Sequence, residues 1–186
     1  MLSLNEIKVG IIVQIADEPY LIIKVDHHKM GRGGAIVKVK IKNLISGNVL
    51  DKTFQGNDKV EKATTQMKRS NFMYKDDINV YFMDNDNYEQ FSMEIEQIGN
   101  KVNFLKDGTD VDVLYYDDKP VAIHLPIKIE LEVISAPPGV KGNSVGNVTK
   151  QVELETGVKI NVPMFINVGD IIRVNTETGE YAERVS

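Results

Sequence analysis

Apolar and polar residues alternate along most of the chain, and this pattern predicts a protein built from short β-strands. In KVKIK, residues 38–42, the lysines fall on one face of the predicted strand and the valine and isoleucine on the other. Two Thr-Gly pairs and one Asp-Asp-Lys sequence have the residue types that hairpin turns require. One short helix is predicted within residues 88–98. The predicted strands are 20–26, 35–43, 110–116, 121–126, 128–136, 150–163 and 170–181, with turns at 117–119, 156–157 and 178–179.

Many short strands at this spacing are typical of small β-barrels or sandwiches, so the sequence predicts an all-β fold. The chain has 186 residues, which allows one large domain or two to three small ones. Faint boundaries near residues 58–69 and 125–128 divide it into three blocks, 1–64, 65–127 and 128–186. Each block has about 60 residues, near the smallest size at which one barrel folds alone.

Charge is distributed unevenly over the three blocks. The formal net charge is −5, but residues 1–64 hold 10 Lys and Arg against 7 Asp and Glu. Residues 65–127 hold 6 against 12, and residues 128–186 hold 6 against 8. A basic patch on an acidic protein suits a binder that contacts phosphate at chosen places and does not coat RNA indiscriminately.

The composition excludes several classes of site. The chain has no cysteine, which removes disulfides, zinc–thiolate sites, iron–sulfur clusters and thiol nucleophiles and suits a reducing cytoplasm. The first residues show no basic segment followed by an apolar run of signal-peptide length. No apolar run approaches the roughly 18 residues that a membrane-spanning helix needs. We therefore expect a cytoplasmic protein that does not enter membranes.

Residue patterns that support catalysis are scarce. His27 and His28 are neighbours in an extended segment, where their side chains should diverge, and His124 alternates with apolar residues. Residues 142–146, GNSVG, have the Gly-x-Ser-x-Gly spacing, but no predicted helix follows them, as a nucleophile elbow requires. A Gly-x-x-x-x-Gly-Lys phosphate loop is absent from the sequence. Residues 84–96 begin like a calcium loop, but the required glycine is absent and Ile95 stands where the bidentate glutamate should be. We expect no metal, no bound cofactor and no enzymatic activity.

The segment 27–44, HHKMGRGGAIVKVKIKNL, is the strongest candidate for a functional site. Gly31, Gly33 and Gly34 permit a thin, tightly turned loop, from whose tip Arg32 would project. A mobile hairpin with a merely solvated Arg32 explains the spacing equally well, and an RGG-type RNA-binding tract is a weaker interpretation because one copy is present. The basic residues between positions 24 and 42 are Lys24, Lys29, Arg32, Lys38, Lys40 and Lys42, and the acid among them is Asp26.

This loop and two further stretches resemble bacterial elongation factor P. The first block carries KMGRGGAIVKVKIKNLISG, similar to the family's tip loop and following basic strand. The middle block carries YFMDNDNYEQ (81–90), similar to the family's Phe-Met-Asp-x-x-x-Tyr-Glu-Gln stretch, and residues 137–185 resemble the family nearly end to end. The resemblance covers essentially the whole chain, and these motifs together are highly specific, whereas the loop alone is not.

The resemblance implies an N-terminal SH3/KOW-like barrel followed by two OB-like barrels, in an L-shaped arrangement similar to tRNA. It also implies binding to both subunits of the ribosome, between the P and E sites and beside the peptidyl-tRNA. The family stimulates peptide-bond formation when consecutive prolines stall synthesis. The tip loop of the first domain would reach toward the CCA end of the P-site tRNA, and the factor itself would transform no substrate.

Carried over to this chain, the resemblance places Arg32 at the tip, where the family residue is usually modified. Many members have a lysine there, extended by a β-lysyl-type group that an arginine cannot accept because it lacks the amine. Arg32 resembles the subfamily in which an arginine rhamnosyltransferase attaches rhamnose from dTDP-rhamnose, so a covalent rhamnose is expected. Met30 stands where the Pro-Gly-Lys-Gly loops of lysine members place proline, and Lys29 is nearby but at the wrong register.

Further contacts are implied on the strand after the tip and in the last block. Gly142, Asn143 and Ser144 match a loop that approaches the small subunit near the E-site codon, with Asn and Ser in place of the family's Asp and Thr. Tyr181 and Arg184 match the Gly-Glu-Tyr-x-x-Arg-Val ending, where a structural role accounts for them at least as well as an RNA contact. The residues expected to contact tRNA or ribosomal RNA are Lys29, Gly31, Arg32, Gly33, Gly34, Lys38, Lys40 and Lys42.

Two other functions remain compatible with the sequence. A general RNA-binding or antitermination-type module made of KOW and OB barrels would bind free single-stranded RNA in a salt-sensitive manner. A paralogue within the same family would relieve stalling at motifs other than proline runs. We expect a monomer.

Overall fold

The computed structural model describes residues 1–30, 34–56, 58–137 and 149–185. Three antiparallel five-stranded sheets follow one another along these residues. The all-β prediction is therefore confirmed. In the described part of the chain, no helix has the length and hydropathy that a membrane crossing requires.

The first sheet has one long hairpin at its centre. Its alternation is clearest in strand β3 (Gly34–Asn43), where Val37, Val39 and Ile41 are buried and pack with Ile22 and Phe54 in the first core. The prediction that the lysine-rich strand has one apolar face is thus confirmed. In the order β4-β3-β2-β1-β5, the strands are β1 (Ile12–Ile15), β2 (Glu18–Met30), β3 (Gly34–Asn43), β4 (Val49–Gln55) and β5 (Glu61–Lys62).

The second sheet has an aromatic centre. The Phe82 ring stacks on Phe91 at 5.5 Å and meets Phe72 edge-on at 6.1 Å, measured between ring centroids. A predicted turn is confirmed between its last two strands, where Asp117 and Asp118 have φ values of 48° and 58°. In the order β10-β9-β6-β7-β8, the strands are β6 (Thr65–Lys75), β7 (Asn79–Asp84), β8 (Gln90–Glu94), β9 (Asp110–Tyr116) and β10 (Lys119–His124).

The helix predicted within residues 88–98 exists but is shorter than the segment. Helix α1 covers Ile95–Ile98, and a 3-10 turn, Gly99–Phe104, follows it. Residues Gln90–Glu94 form strand β8 instead, because their alternate positions pack on β7 and bury Met93. Phe104, at the end of the 3-10 turn, belongs to the core of the third sheet.

The third sheet has the order β13-β12-β11-β14-β15. Its two outer strands lie beside each other, so the sheet curls round its core. Leu131, Val133, Val152, Ile160 and Ile172 are among the buried residues of that core. The strands are β11 (Lys128–Ser135), β12 (Thr149–Leu154), β13 (Lys159–Pro163), β14 (Ile171–Asn175) and β15 (Tyr181–Arg184).

The chain forms two compact units. One contains Met1–Lys68 and Val113–Ile123, and the other contains Arg69–Asp112 and His124–Ser186. Within the first unit, Tyr116 is buried beside Leu44 and donates its hydroxyl hydrogen to the carbonyl oxygen of Asp17 at 3.3 Å. The domain limits placed at residues 64 and 127 by the sequence stay a prediction.

Candidate functional site

Strands β2 and β3 form a long hairpin, which we call the arm (residues 18–43). Their register pairs Met30 with Gly34, so three residues connect the two strands. Strand β1 pairs with β2 as far as Leu21, and the residues just before β1 bond to Ile22. Strand β4 pairs with β3 from Lys42 to Ile36. Past Ile36, the described pairings join β3 to β2 alone, and the end of the arm is therefore two strands wide.

The connection at the end of the arm consists of Gly31, Arg32 and Gly33, which lie outside the described residues. The side chain of Lys29 also lies outside them, although its backbone pairs with Ala35. The structure thus places the end of the arm at the predicted loop. The roles assigned to Arg32 and the neighbouring glycines stay predictions.

One face of the arm carries lysines. Lys38 and Lys40 are exposed, Lys42 is half-buried, and the residues between them point into the core. The register places Lys24 of β2 directly opposite Lys40. The predicted shared face of the three β3 lysines is therefore present, with its most accessible charges at Lys38 and Lys40.

A β-bulge in β2 brings Lys24 onto this face. Ile22 pairs with Ile41, but the next described pair is Lys24 with Lys40, so Ile23 is an extra residue in β2. Because side chains alternate along a strand, one extra residue moves all later side chains of β2 to the opposite side. Ile22 is accordingly buried, whereas Lys24 is exposed beside the lysines of β3.

Two aspartates share the face with the lysines. Asp26 lies opposite Lys38, and Asp51 of β4 lies opposite Lys40. The carboxylate of Asp26 is 3.1 Å from the ammonium of Lys24, and both side chains are at least half exposed. We call Lys24, Lys38, Lys40, Asp26 and Asp51 the lysine face; they line a shallow depression of about 390 Å³.

The two aspartates reduce the positive potential of the lysine face. An exposed ion pair such as Lys24–Asp26 contributes at most about 1 kcal/mol to stability. The ammonium groups remain accessible to phosphate oxygens, but the aspartates reduce the local positive potential. The sequence alone indicates Asp26 but not Asp51, because no pattern in it predicts strand β4 or the position of that strand beside β3.

The two C-terminal residues singled out from the sequence lie on β15. Tyr181 is half-buried and packs against the third core. The Arg184 guanidinium lies 3.8 Å from an Asp170 carboxylate oxygen and 5.9 Å from the centroid of the Phe165 ring. Both side chains thus have structural contacts, which matches the structural interpretation but leaves the RNA contact a prediction.

The remaining predicted residues add no further site within the part of the chain that the structure describes. Gly142, Asn143 and Ser144 lie outside the described residues. His27 is exposed on the arm, and His124 ends strand β10. Within residues 1–30, 34–56, 58–137 and 149–185, His, Asp and Glu side chains form no group of three that could hold a metal ion.

Three family models match successive parts of the chain, and all describe one elongation factor. The Elongation factor P (EF-P) KOW-like domain matches residues 3–60, the EF-P OB domain matches residues 65–123, and the Elongation factor P C-terminal model matches residues 129–184. These matches identify the first sheet as a KOW-like domain and the second as an OB domain, as predicted. The chain belongs to the elongation factor P family.

Curated relatives agree over the full length. Elongation factor P of Desulfotalea psychrophila is 42% identical over 100% of this chain and 99% of that protein. Elongation factor P of Endomicrobium trichonymphae is 41% identical over 99% of this chain and 100% of that protein. A solved structure of eukaryotic translation initiation factor 5A from Methanococcus jannaschii shares the fold, at 22% identity and a TM-score of 0.50, over 66% of this chain and 94% of that one.

Proposed function

We propose that this chain binds the ribosome between the P and E sites, beside the peptidyl-tRNA, and stimulates peptide-bond formation where consecutive prolines stall synthesis. The observation that carries the proposal is the arm, whose strands pair as far as Met30 and Gly34 and are joined by Gly-Arg-Gly. Neighbouring strands lie about 5 Å apart. The end of the arm, which is two strands wide past Ile36, is narrow enough to enter a cleft already occupied by tRNA.

The arm acts by positioning and takes no part in the chemistry. The pyrrolidine ring of proline restricts the approach of its nitrogen. The orientation of the reacting groups then controls the rate, and holding them in a reactive geometry accelerates the reaction. Arg32 at the end of the arm contacts the CCA end of the P-site tRNA and steadies it, because a guanidinium makes bidentate contacts with phosphate.

A covalent rhamnose on Arg32 belongs to this proposal. The transferase joins C1 of the sugar to a guanidinium nitrogen, the bond between C1 and the dTDP oxygen breaks, and one N–H proton is released. The flanking Gly31 and Gly33 add no side-chain bulk, which favours access of the transferase to the guanidinium. The sugar lengthens the tip and adds hydroxyl groups without widening the arm.

The lysine face supports weak, sequence-independent contacts with RNA backbone. Lys38 and Lys40 are exposed and can reach phosphate oxygens, which position a protein without reading sequence. Asp26 and Asp51 on the same face limit that attraction, as suits a factor that must also dissociate. The same two aspartates count against a general RNA-binding module, which would gain from an undiluted positive surface.

The test is translation of a template with three consecutive proline codons in a reconstituted system. Arg32→Ala should lower the factor-dependent synthesis at least tenfold and leave the melting temperature unchanged. Arg32→Lys should also fail, because it keeps the charge but cannot accept the sugar through a guanidinium nitrogen. Lys8→Ala, which removes an exposed cation elsewhere in the same unit, is the matched control. Full activity of Arg32→Ala would refute the role of the tip.

The modification has its own measurement. The intact mass of the protein purified from its native host should exceed the sequence mass by one deoxyhexose, and fragmentation should place the increment on Arg32. An unmodified Arg32 in fully active protein would overturn the rhamnose proposal and leave the bare guanidinium as the active group.

A further inference from the structure

The end of the arm opposite its tip is tied to a hairpin of the second sheet, and the proposed function gives this contact no role. We call this end the root; it consists of residues 17–19, around the start of β2, and residues 43–44, at the end of β3. The hairpin is β9–β10, and its residues Val113–Ile123 lie in the same compact unit as the first sheet. Strand β3 pairs with β2 from Asn43 to Gly34. The root and the tip are therefore separated by about 30 Å, at 3.3–3.4 Å per residue.

Two contacts join the root to the hairpin. Tyr116 of β9 is 5% exposed and donates its hydroxyl hydrogen to the carbonyl oxygen of Asp17 at 3.3 Å. Leu44, on the other strand of the root, is buried in one apolar cluster with Leu114, Tyr116 and Val121. Among the described residues, this cluster has five buried side chains, against nine in the first core. Because the contact is small, each of its members matters for the direction in which the first sheet and its arm point.

Asn43 gives the root its shape. It is 3% exposed although its side chain is polar, and buried polar groups are kept where hydrogen bonds satisfy them. Its side-chain oxygen accepts from the backbone N–H groups of Ile45 and Ser46, at 2.8 and 2.9 Å. Its side-chain nitrogen donates to the Glu18 carboxylate at 2.6 Å. One amide thus bends the chain after β3 and ties it to the start of β2, which fixes both strands of the root against Tyr116.

The turn that leads into the arm depends on the same contact. Ala16 and Asp17, between β1 and β2, have φ values of 51° and 61°. Two-residue turns of this kind favour Gly, Asn and Asp, and an alanine in the left-handed region is uncommon. Such a conformation persists where the surrounding structure holds it. The Tyr116 hydroxyl bonds to this turn and therefore helps to hold the strand from which the arm starts.

A small rotation at the root produces a large displacement at the tip. Over about 30 Å, a rotation of about 5° moves the tip by about 2.5 Å. Misplacement by about 1 Å can slow a reaction that depends on positioning by about a hundredfold. The contribution of the tip to the rate therefore depends on how firmly the root is held.

We propose that Asn43 and Tyr116 are positioning residues, which fix the direction of the arm and through it the place of Arg32 against the tRNA. The inference rests on the proposed function for the role of the tip. Both residues are buried at the root, so they act through the first sheet without contacting tRNA themselves. Loss of such a residue lowers the maximal rate while the factor still binds, whereas loss of a merely structural contact lowers stability alone.

Exchanging the donor and the acceptor across the root tests Asn43. Asn43→Asp keeps the oxygen that the turn needs but places a second carboxylate beside Glu18, so the tie becomes repulsive. It should lower the maximal rate of synthesis on the triproline template about tenfold, because the tip is misplaced. The factor concentration that gives half of that rate should change less than about twofold. Adding Glu18→Gln restores an amide opposite the new carboxylate, keeps the net charge, and should recover most of the rate.

Tyr116→Phe tests the second contact, because it removes the hydroxyl group alone. Tyr81→Phe is the matched control, since the Tyr81 hydroxyl also donates one hydrogen bond, to Asp76 at 2.9 Å, in a hairpin that the proposed function does not use. Both changes should lower the melting temperature by about 2–4 °C. Tyr116→Phe should also lower the maximal rate about threefold, whereas Tyr81→Phe should leave it unchanged. All rates are compared well below the melting temperature of each variant.

The direction of the arm can also be measured without the ribosome, from residual dipolar couplings of backbone amides in the isotope-labelled full chain. In the unmodified chain, one alignment should fit the couplings of β3 and of β9–β10. In Asn43→Asp the two groups should require alignments that differ by several degrees. The double variant Asn43→Asp, Glu18→Gln should again need only one.

Three results would overturn the inference: couplings in Asn43→Asp that still fit one alignment, equal maximal rates for Tyr116→Phe and Tyr81→Phe, or a double variant no more active than Asn43→Asp. Loss of synthesis in Arg32→Ala together with undiminished synthesis in Asn43→Asp would remove this inference and leave the proposed function in place. Full activity of Arg32→Ala would refute the role of the tip, and the couplings would still show whether the root holds the arm.

Discussion

Two hairpins of this chain are joined by three residues each, and the two connections have opposite compositions. Between β6 and β7 the connection is Asp76-Asp77-Ile78. One Asp76 oxygen accepts hydrogen bonds from the backbone N–H groups of Ile78 and Asn79, at 2.8 and 2.6 Å. The other accepts from the Tyr81 hydroxyl at 2.9 Å. In this connection, the Asp76 side chain thus holds the backbone of its own turn in place.

The connection at the end of the arm is Gly31-Arg32-Gly33. Neither residue type has a side chain that can accept hydrogen bonds from the backbone of the turn. Glycine has no side chain, and arginine has donors but no acceptor for a backbone N–H. The comparison teaches that a turn needed only for the fold places a short acceptor beside its own backbone. In the proposed function, the turn at the end of the arm instead flanks one long cation with residues that do not compete for it.

Exchanging the connections tests the comparison most severely. The triple variant Gly31→Asp, Arg32→Asp and Gly33→Ile gives the arm the connection of the β6–β7 hairpin. It should abolish factor-dependent polyproline synthesis, a loss of at least tenfold, because the tip cation becomes an acid. The melting temperature should not fall, since the transplanted turn supplies its own hydrogen bonds.

The reciprocal exchange, Asp76→Gly, Asp77→Arg and Ile78→Gly, provides the control. It removes the Asp76 hydrogen bonds and should lower the melting temperature while polyproline synthesis persists. If polyproline synthesis and the melting temperature fell together in both exchanges, the two connections would not have different roles.

Lowering the pH should reveal how the charge of the Asp76 carboxylate contributes to stability. Its pKa is lowered, first by the backbone N–H of Asn79, then by that of Ile78 and by the Tyr81 hydroxyl. A lowered folded-state pKa means that the carboxylate stabilises the fold above the unfolded value, about 3.9. This stabilisation is lost as the pH falls through the folded pKa.

Asp76→Asn should therefore lower the melting temperature by a few degrees at pH 7. The difference from the unmodified chain should shrink as the pH falls below about 4, as thermal unfolding followed by circular dichroism can show. A difference that stayed constant down to the lowest accessible pH would mean that the charge of Asp76 is not what holds the turn.

The smallest effect is expected on the lysine face. Asp51→Asn removes a negative charge opposite Lys40 and should tighten binding to the ribosome about two- to threefold, whereas Lys40→Ala should weaken it by a similar factor. Each change should alter the logarithmic salt slope by less than about one, the value of one phosphate contact. Equal effects of Asp51→Asn and of Asp58→Asn, an exposed acid outside this face, would show that net charge alone matters.

Sequence alone could predict the fold where alternation is regular. Strand β3 buries Val37, Val39 and Ile41 in turn, and it was predicted almost to the residue. The sequence does not indicate strand β4, because Phe54 is its one buried residue and no period of two is visible. Strand β6 was missed because a register shift between Phe72 and Tyr74 interrupts its alternation.

The candidate site was predictable only in part for a similar reason. The lysines of β3 are consecutive on one strand, so their shared face follows from spacing. Asp51 joins that face through a neighbouring strand, and the bulge at Ile23 decides which side Lys24 takes.

The bulge in β2 also limits how the arm can change its length. Beyond Ile23, the face of the sheet on which a side chain lies depends on how many residues separate it from the bulge. Inserting one residue into each strand, between the first core and the lysines, would therefore turn the lysines inward. Only paired insertions of two residues preserve the faces, and each adds about 6.7 Å, at 3.3–3.4 Å per residue. The distance from the first core to Arg32 can therefore change only in coarse steps. Fine adjustment of its reach would then fall to the rhamnose proposed for Arg32.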